Sequence, residues 1–244
     1  MKRSLWITLA GLIAFAAILI ARLPASWMVP TGPQIPFACA NIEGTLWAGV
    51  CNGLRVRGQP LGDVTWELEP LRLLLARVAA RVTLNDVSAH VSADVELSFG
   101  RVRARDVEAD LPLDPRFLPG LPAQLNGQAH VQLALAEVTH GVITALKGKI
   151  EAHNLEERSG HVTPLGSYVL SFPGDEGEPV GLVRDLGGPL SVEGTIKLTR
   201  AGGYEVQCLV AARADANPEL ANNLRFLGSP DAAGRRSFAV SGTF

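Results

Sequence analysis

Apolar and polar side chains alternate one by one along much of this chain, and no other feature constrains its fold as strongly. Val64, Trp66 and Leu68, for example, are separated by single polar residues. The same period of two recurs at 91–99, 131–135, 190–198 and 206–210. A strand with this period has one apolar face and one polar face, which is typical of antiparallel sheets. The sequence therefore predicts a mainly β fold rather than a doubly wound parallel sheet.

Turn-forming residues separate the predicted strands, and helical patterns are few and short. Ala201-Gly202-Gly203 predicts a hairpin between two strands. Proline opens helical patterns at 69–78 and 114–120, and Asn217-Pro218 opens a capped helix that Gly228 closes. Together these features predict a long curved antiparallel sheet, or a sandwich-like domain, with a few short helices.

An uncharged apolar run extends from Leu5 to Ala21. As a helix it would be roughly 26 Å long, at the short end of what crosses a bilayer. Lys2 and Arg3 precede the run, and basic residues favour the cytoplasmic side of a membrane. We therefore expect residues 1–22 to form a cytoplasmic tip and a single transmembrane helix, with the rest of the chain outside the cytoplasm.

A cleaved signal peptide is the alternative interpretation of the same run. Its apolar region is usually shorter and ends in a small-residue cleavage site. Here Arg22 and Pro24 follow the run instead. Trp6 and Trp27 flank it, at the positions where aromatic rings prefer the headgroup layer. These four residues favour a retained anchor.

Four prolines between residues 23 and 36 predict a stiff, extended spacer after the anchor. The alternating segments begin only after this stretch. We therefore expect residues 37–244 to form a β-rich domain that the spacer connects to the membrane.

The chain has three cysteines, Cys39, Cys51 and Cys208. An exported domain folds in an oxidising compartment, where cysteine pairs form disulfides. Cys39 and Cys51 bracket a candidate hairpin or sharp turn and are the candidate disulfide, the alternative being two buried thiols. Cys208 alternates with apolar residues, which predicts a buried free thiol.

Residue patterns that carry chemistry are missing from the sequence. The net charge is −2 with both signs mixed along the chain, which excludes a basic surface for nucleic acid. The five histidines lack the spacing of zinc ligands, and neither a nucleophile turn nor a phosphate-binding loop is present. The sequence therefore predicts no catalytic, metal-binding or cofactor-binding residues, and it argues against an enzyme acting at the membrane surface.

Several short strings occur in a distinctive order behind the apolar run. The first two strings, at 44–49 and 62–66, each contain glycine and tryptophan. A Gly-Ser-Tyr string follows at 166–168 and a Gly-Gly-Pro string at 187–189. A Leu-Arg-Phe-Leu-Gly string lies at 224–228, near the end. The order resembles the protein N family of the type II secretion system, also called general secretion pathway protein N, over nearly the whole chain. The residues that carry the resemblance are Gly44, Trp47, Gly49, Gly62, Trp66, Gly166, Tyr168, Gly188, Pro189, Gly194, Leu224 and Gly228.

The resemblance implies an accessory, non-catalytic subunit of a bacterial exporter of folded proteins. The anchor would lie in the inner membrane, with the N-terminus cytoplasmic and the β domain periplasmic. The implied partners are the inner-membrane platform of the secretion system and either the secretin or the protein that couples the platform to it. No catalytic residues follow from the resemblance.

The motif residues themselves have a structural interpretation. We expect Trp47 and Trp66 to pack over the apolar face of the sheet, next to glycines that allow close backbone approach. Gly188 and Pro189 predict a hairpin turn. The helix end from Leu224 to Gly228 is expected to pack on its own sheet. The alternative is that these residues contact a partner protein.

A second hypothesis concerns lipid. A long sheet with one apolar face, anchored at the inner membrane, also resembles the AsmA-like group of proteins, whose β grooves carry lipids across the envelope. The two hypotheses differ in whether the apolar face is closed by a second layer or open as a groove.

Overall fold

The computed structural model describes residues 11–12, 15, 18–28, 37–73, 75–118, 121–159, 161–174 and 177–243. Within it the chain divides into two compact units, Met1–Asp86 and Val87–Phe244. The predicted domain boundaries at residues 22 and 36 stay predictions, because much of the anchor and residues 29–36 of the spacer lie outside the described residues.

Before the first strand, the described residues 18–21 are helical, as are residues 11, 12 and 15. The remainder of the predicted transmembrane segment 5–21 lies outside the described residues. In the part of the chain that the structure describes, no helix has both the length and the apolar character needed to cross a membrane. Ala25–Met28 forms a single 3-10 turn.

The first unit contains a small antiparallel sheet. Its strands are β1 (Phe37–Ala38), β2 (Asn41–Gly44), β3 (Ala48–Val56), β4 (Gln59–Leu68) and β5 (Val78–Asn85). Strand β4 pairs with β3 on one side and with β5 on the other, while β1 and β2 pair with opposite ends of β3. The short helix α1 (Pro70–Leu73) connects β4 to β5.

Helix α1 is shorter than the pattern at 69–78 predicts. Ala76 has a φ of 55°, in the left-handed region that ends a helix. The N–H of Glu69 then donates to the carbonyl of Ala79 at 2.8 Å, which returns the chain to the sheet. Backbone pairing between β4 and β5 therefore limits the helix that the leucine pattern favours.

The second unit is an antiparallel meander. Its described strands are β6 (His90–Ser98), β7 (Arg101–Pro112), β8 (Leu125–Thr139), β9 (Val142–Arg158), β10 (Val162–Phe172), β11 (Val180–Gly187), β12 (Leu190–Thr199), β13 (Gly203–Ala212) and β14 (Arg236–Thr243). Each strand from β6 to β13 pairs with the next one in the sequence. The predicted mainly antiparallel β fold with few short helices is thereby confirmed, including the hairpin between β12 and β13.

The capped helix predicted near the C-terminus has two parts. Helix α2 (Pro218–Asn223) starts at Asn217, whose side chain accepts a hydrogen bond from the N–H of Glu219 at 3.0 Å. It tightens into a 3-10 turn, Leu224–Leu227, and ends at Gly228, which has a φ of 97°.

A cluster of buried apolar side chains lies on β6 to β8 of the second unit. Ala109, Leu111 and Ala129 are buried there, together with Ala89 just before β6. Phe117 and Leu118, from the turn after β7, pack against this cluster. The small alanine side chains let the turn approach the sheet closely, so the core is an apolar row covered by one loop.

Replacing Leu111 with alanine tests this core. Because the buried side chain leaves a cavity, Leu111→Ala should lower the free energy of unfolding by about 2–4 kcal/mol. Leu97→Ala is the matched control: the Leu97 side chain is exposed, so its loss should cost about 0.5 kcal/mol or less. Urea denaturation of the purified variants measures both values, and equal losses would contradict the assignment of the core.

Candidate functional site

The twelve residues of the sequence motif lie in both units. One group, Gly44, Trp47, Gly49, Gly62 and Trp66, lies in the sheet of the first unit. A second group, Gly166, Tyr168, Gly188 and Pro189, converges in the second unit. Gly194, Leu224 and Gly228 lie at separate places in that unit.

In the first group, a tryptophan ring covers a glycine. Gly49 lies opposite Trp66 on the β3–β4 ladder. A Cβ atom on Gly49 would lie 2.4 Å from the Trp66 ring, so a larger residue would displace the indole. The indole N–H of Trp66 also donates to the carbonyl of Leu46 at 3.2 Å. The ring is thereby held over Gly49, next to the β2–β3 turn.

Trp47 takes a different position from the one expected over the sheet. It lies in the turn between β2 and β3, and its indole N–H donates to the carbonyl of Ile20 at 2.8 Å. Next to it, the N–H of Leu46 donates to the carbonyl of Leu23 at 2.8 Å, and Pro24 pairs with Thr45 as an isolated bridge. This turn therefore holds the end of the N-terminal helical segment against the β sheet.

Gly44 and Gly62 permit close backbone approach. A Cβ atom on Gly44 would lie 2.5 Å from the Ala48 carbonyl oxygen, and one on Gly62 would lie 2.3 Å from that of Asn85. Their φ angles, 92° and 103°, also disfavour other residues. Both positions shape the ends of strand pairs in the first unit.

Cys39 and Cys51 form a disulfide, with their Cα atoms 5.5 Å apart. Cys51 is buried in β3, while Cys39 lies in the connection between β1 and β2. The bond therefore fastens this connection to the central part of the small sheet. Cys208 is a free, buried cysteine in the second unit, and burial raises the pKa of its thiol.

In the second group, two glycines bring strand β10 against the β11–β12 turn. A Cβ atom on Gly188 would lie 2.6 Å from the Cα atom of Gly166. In return, a Cβ atom on Gly166 would lie 2.7 Å from the carbonyl oxygen of Gly187. Both positions have positive φ angles, 105° at Gly166 and 118° at Gly188. Only glycine satisfies both the conformation and the contact.

An ion pair secures the same turn. The guanidinium of Arg213 binds the carboxylate of Asp185, and its Nη1 donates to the carbonyl of Gly188 at 2.9 Å. The backbone N–H of Arg213 donates to the carbonyl of Pro189 at 2.8 Å. The other carboxylate oxygen of Asp185 accepts from the N–H of Val192 at 3.1 Å. Asp185 and Arg213 therefore clamp the turn from both sides.

The contacts around this turn also shift the pKa values of Asp185 and of the neighbouring Tyr168. Burial of Asp185 opposes its ionisation, but the hydrogen bonds from Arg213 and Val192 outweigh burial and lower the pKa of the carboxyl. Burial, together with the nearby Asp185 carboxylate, raises the pKa of Tyr168 to about 12. The Tyr168 hydroxyl stays protonated and donates to the carbonyl of Leu165 at 2.5 Å. Asp185 and Arg213 therefore bind each other and the β11–β12 turn, while the Tyr168 hydroxyl binds the backbone of β10.

The remaining motif residues do not join either group. A Cβ atom on Gly194 would lie 2.2 Å from the carbonyl oxygen of Gln207 on the neighbouring strand β13. Glycine at this position therefore allows β12 and β13 to pair without a steric clash. Gly228 ends the 3-10 turn that begins at Leu224, and its carbonyl accepts a hydrogen bond from the Arg236 side chain. The Phe226 ring in this turn is exposed.

The described residues contain no group of three or more histidine, cysteine, aspartate or glutamate side chains arranged to hold a metal ion. An open cavity of about 500 Å³ is lined by residues of β11 to β14, including Leu182, Thr195, Gln207 and Ala239. These four residues lie on one row across the strands, and Thr195 and Gln207 add polar groups to a mainly apolar lining.

Sequence reasoning missed Asp185 and Arg213. They are 28 positions apart, and each looks like an ordinary solvated charge in an alternating strand. A signal was nevertheless present: a charged residue lies just before the Gly-Gly-Pro turn, and an arginine ends the second strand after it. Only the β11–β12–β13 register brings the two together.

Comparisons with known proteins agree on one family. The sequence model of the family described as "Type II secretion system (T2SS), protein N" matches residues 37–239. The chain is 25% identical over 244 residues to the type II secretion system protein N of Aeromonas hydrophila, covering 96% of each sequence. It is 26% identical over 260 residues to that of Vibrio cholerae serotype O1, covering 99% of each. No solved structure matches the chain significantly.

Removal of the Arg213 side chain tests the clamp. Arg213→Ala leaves the largely buried Asp185 carboxylate without its cation and should lower the free energy of unfolding by about 1–3 kcal/mol. Arg235→Ala is the matched control, since Arg235 pairs with Asp231 at 3.0 Å on the surface and should cost about 0–1 kcal/mol. Equal effects in urea denaturation would contradict a structural role for the clamp.

The pH dependence gives an independent check. A carboxyl whose pKa is lowered by folding stabilises the fold above its unfolded pKa, about 4, and loses that contribution as the pH falls through the folded pKa. The difference in stability between wild type and Arg213→Ala should therefore be constant at neutral pH and shrink below about pH 4. A difference that stays constant into acid would contradict the ionised pair.

Proposed function

Because the chain belongs to the protein N family of the type II secretion system, we propose that it is an accessory, non-catalytic subunit of this exporter in the bacterial inner membrane. Residues 5–21 anchor it, its N-terminus is cytoplasmic, and its β units stand in the periplasm. It assists the export of folded proteins across the outer membrane through contacts with other secretion subunits.

The family match over residues 37–239 is the observation that carries this proposal. Two features of the first unit support it. The Trp47 indole binds the end of the N-terminal helical segment, which couples an anchor mechanically to the sheet. The Cys39–Cys51 disulfide suits an oxidising compartment such as the periplasm.

The proposed partners are the inner-membrane platform and either the secretin or the protein that couples the platform to it. The side chains of the Asp185–Arg213 clamp support a scaffolding role, because their hydrogen bonds go to one another and to the β11–β12 turn. A scaffold of this kind works by presenting a stable surface, so we propose that contact residues lie on loops held by such clamps.

Crosslinking in living cells, followed by affinity purification through a C-terminal tag, tests the proposal. Platform or secretin-coupling subunits should be recovered with the full chain. A variant that keeps residues 1–36 but lacks the rest is the control and should recover none of them. Recovery of phospholipid without any secretion subunit would contradict the accessory-subunit proposal.

Lipid binding is the second candidate function, and the open apolar face of the second unit favours it. Ile196, Val206 and Val240 lie opposite one another across β12, β13 and β14. Phe238 and Val240 are 39% and 41% exposed. The described strands of this unit pair into one sheet, on which these partly exposed side chains form a continuous apolar row. An acyl chain could lie along such a face, as in the AsmA-like group.

A charge placed on this apolar face tests whether the second unit binds lipid there. Val206→Asp should reduce the phospholipid that copurifies with the protein at least several-fold, because an isolated carboxylate is costly to bury against an acyl chain. Gln207→Asp places the same charge on the opposite face of β13 and should leave lipid content unchanged. Lipid analysis by mass spectrometry measures both, and equal lipid content in the two variants would rule out this binding face.

A further inference from the structure

Large apolar side chains are exposed together around one end of the first unit. Leu71 and Leu75, in the turn that contains α1, are 78% and 72% exposed, and Trp27 is 76% exposed. We call Pro70–Leu73 and Leu75 the leucine turn. Exposed apolar side chains grouped in this way mark interaction surfaces on soluble domains.

Hydrogen bonds connect the leucine turn to the N-terminal helical segment in two steps. The Trp47 indole donates to the carbonyl of Ile20 at 2.8 Å, and the Trp47 carbonyl accepts from the N–H of Leu68 at 2.6 Å. Leu68 ends β4, and Leu71 follows three residues later. The leucine turn is therefore held close to the place where the helical residues 18–21 end.

Trp27 is connected to the same β2–β3 turn through a backbone bridge. It lies in the 3-10 turn Ala25–Met28, which directly follows the bridge between Pro24 and Thr45. Thr45 belongs to the same β2–β3 turn as Trp47. Trp27 and the leucine turn are thus both connected to the β2–β3 turn that contacts the N-terminal segment.

The charge of the leucine turn also suits a membrane. Residues 70–78 include two arginines and no acidic residue. The preceding carboxylate, on Glu69, is bound by Arg72 at 2.6 Å. No unpaired acidic group of the leucine turn would therefore repel anionic headgroups, whereas leucine, tryptophan and arginine are the residues that interfacial segments use.

From these contacts we propose that the leucine turn and Trp27 form a second, peripheral membrane contact. Their side chains enter the headgroup layer of the bilayer in which residues 5–21 are anchored, and they fix the orientation of the first unit against the membrane. The occupant of this surface is the phospholipid layer itself. The inference rests on the proposed anchoring of the chain. It adds a second contact site that sets the orientation of the first unit relative to the membrane.

Fluorescence quenching by lipid tests the contact. The full chain carrying Leu75→Cys is labelled with an environment-sensitive fluorophore and placed in phospholipid nanodiscs that contain lipids spin-labelled near the headgroup. Interfacial segments bury their apolar side chains about 5–10 Å deep, so we expect a roughly twofold or greater loss of fluorescence. The native cysteines do not interfere, because Cys39 and Cys51 are bonded and Cys208 is buried.

Arg57→Cys is the matched control within the same unit. Arg57 is exposed in the β3–β4 turn, and the 10 residues of β4 place it roughly 30 Å from Leu68. Its label should be unaffected by the spin-labelled lipid. Leu71→Cys provides a second reporter in the leucine turn and should be quenched like Leu75→Cys.

Two results would overturn the inference, and they are distinguishable. If the unlabelled chain is released from membranes by alkaline washing, the anchor itself fails and the peripheral contact fails with it. If the chain stays in the membrane but labels at 71 and 75 are quenched no more than the label at 57, the anchor stands and only the second contact is wrong.

Discussion

Hydrogen bonding between consecutive antiparallel strands is the constraint on which the second unit depends. Each strand from β6 to β13 pairs with the next, so residues that alternate in sequence line up into rows across many strands. Leu170, Val183 and Phe238 belong to one such row. The sheet gains its apolar face from this register, and a slip by one residue would turn every row to the other side.

Glycine decides where these ladders can come close or change direction. At Gly166 and Gly188 two backbones approach within a distance that no side chain would allow, and the Asp185–Arg213 pair then holds the turn in place. At Gly49 the absent side chain leaves room for the Trp66 ring. In each unit, therefore, a glycine that permits a close contact lies next to a larger side chain that holds the contact in place.

The two units carry different parts of the proposed role. In the first, the Trp47 contact to Ile20 connects the N-terminal segment to the sheet and to the leucine turn, which suits a unit that fixes the protein at a membrane. In the second, an apolar face and a clamped turn offer surfaces for a lipid or a partner subunit. Family membership agrees with a component of the type II secretion system.

Period-two alternation was sufficient to predict a mainly antiparallel β protein with few helices, because side-chain direction in a strand is a local property of the backbone. Local capping residues likewise located the helix that starts at Asn217. The extent of α1, the Trp47–Ile20 contact and the Asp185–Arg213 clamp required the folded chain. Each of these depends on which distant segments the fold brings together, and contacts between residues 27 or 28 positions apart are not encoded in any short stretch of sequence.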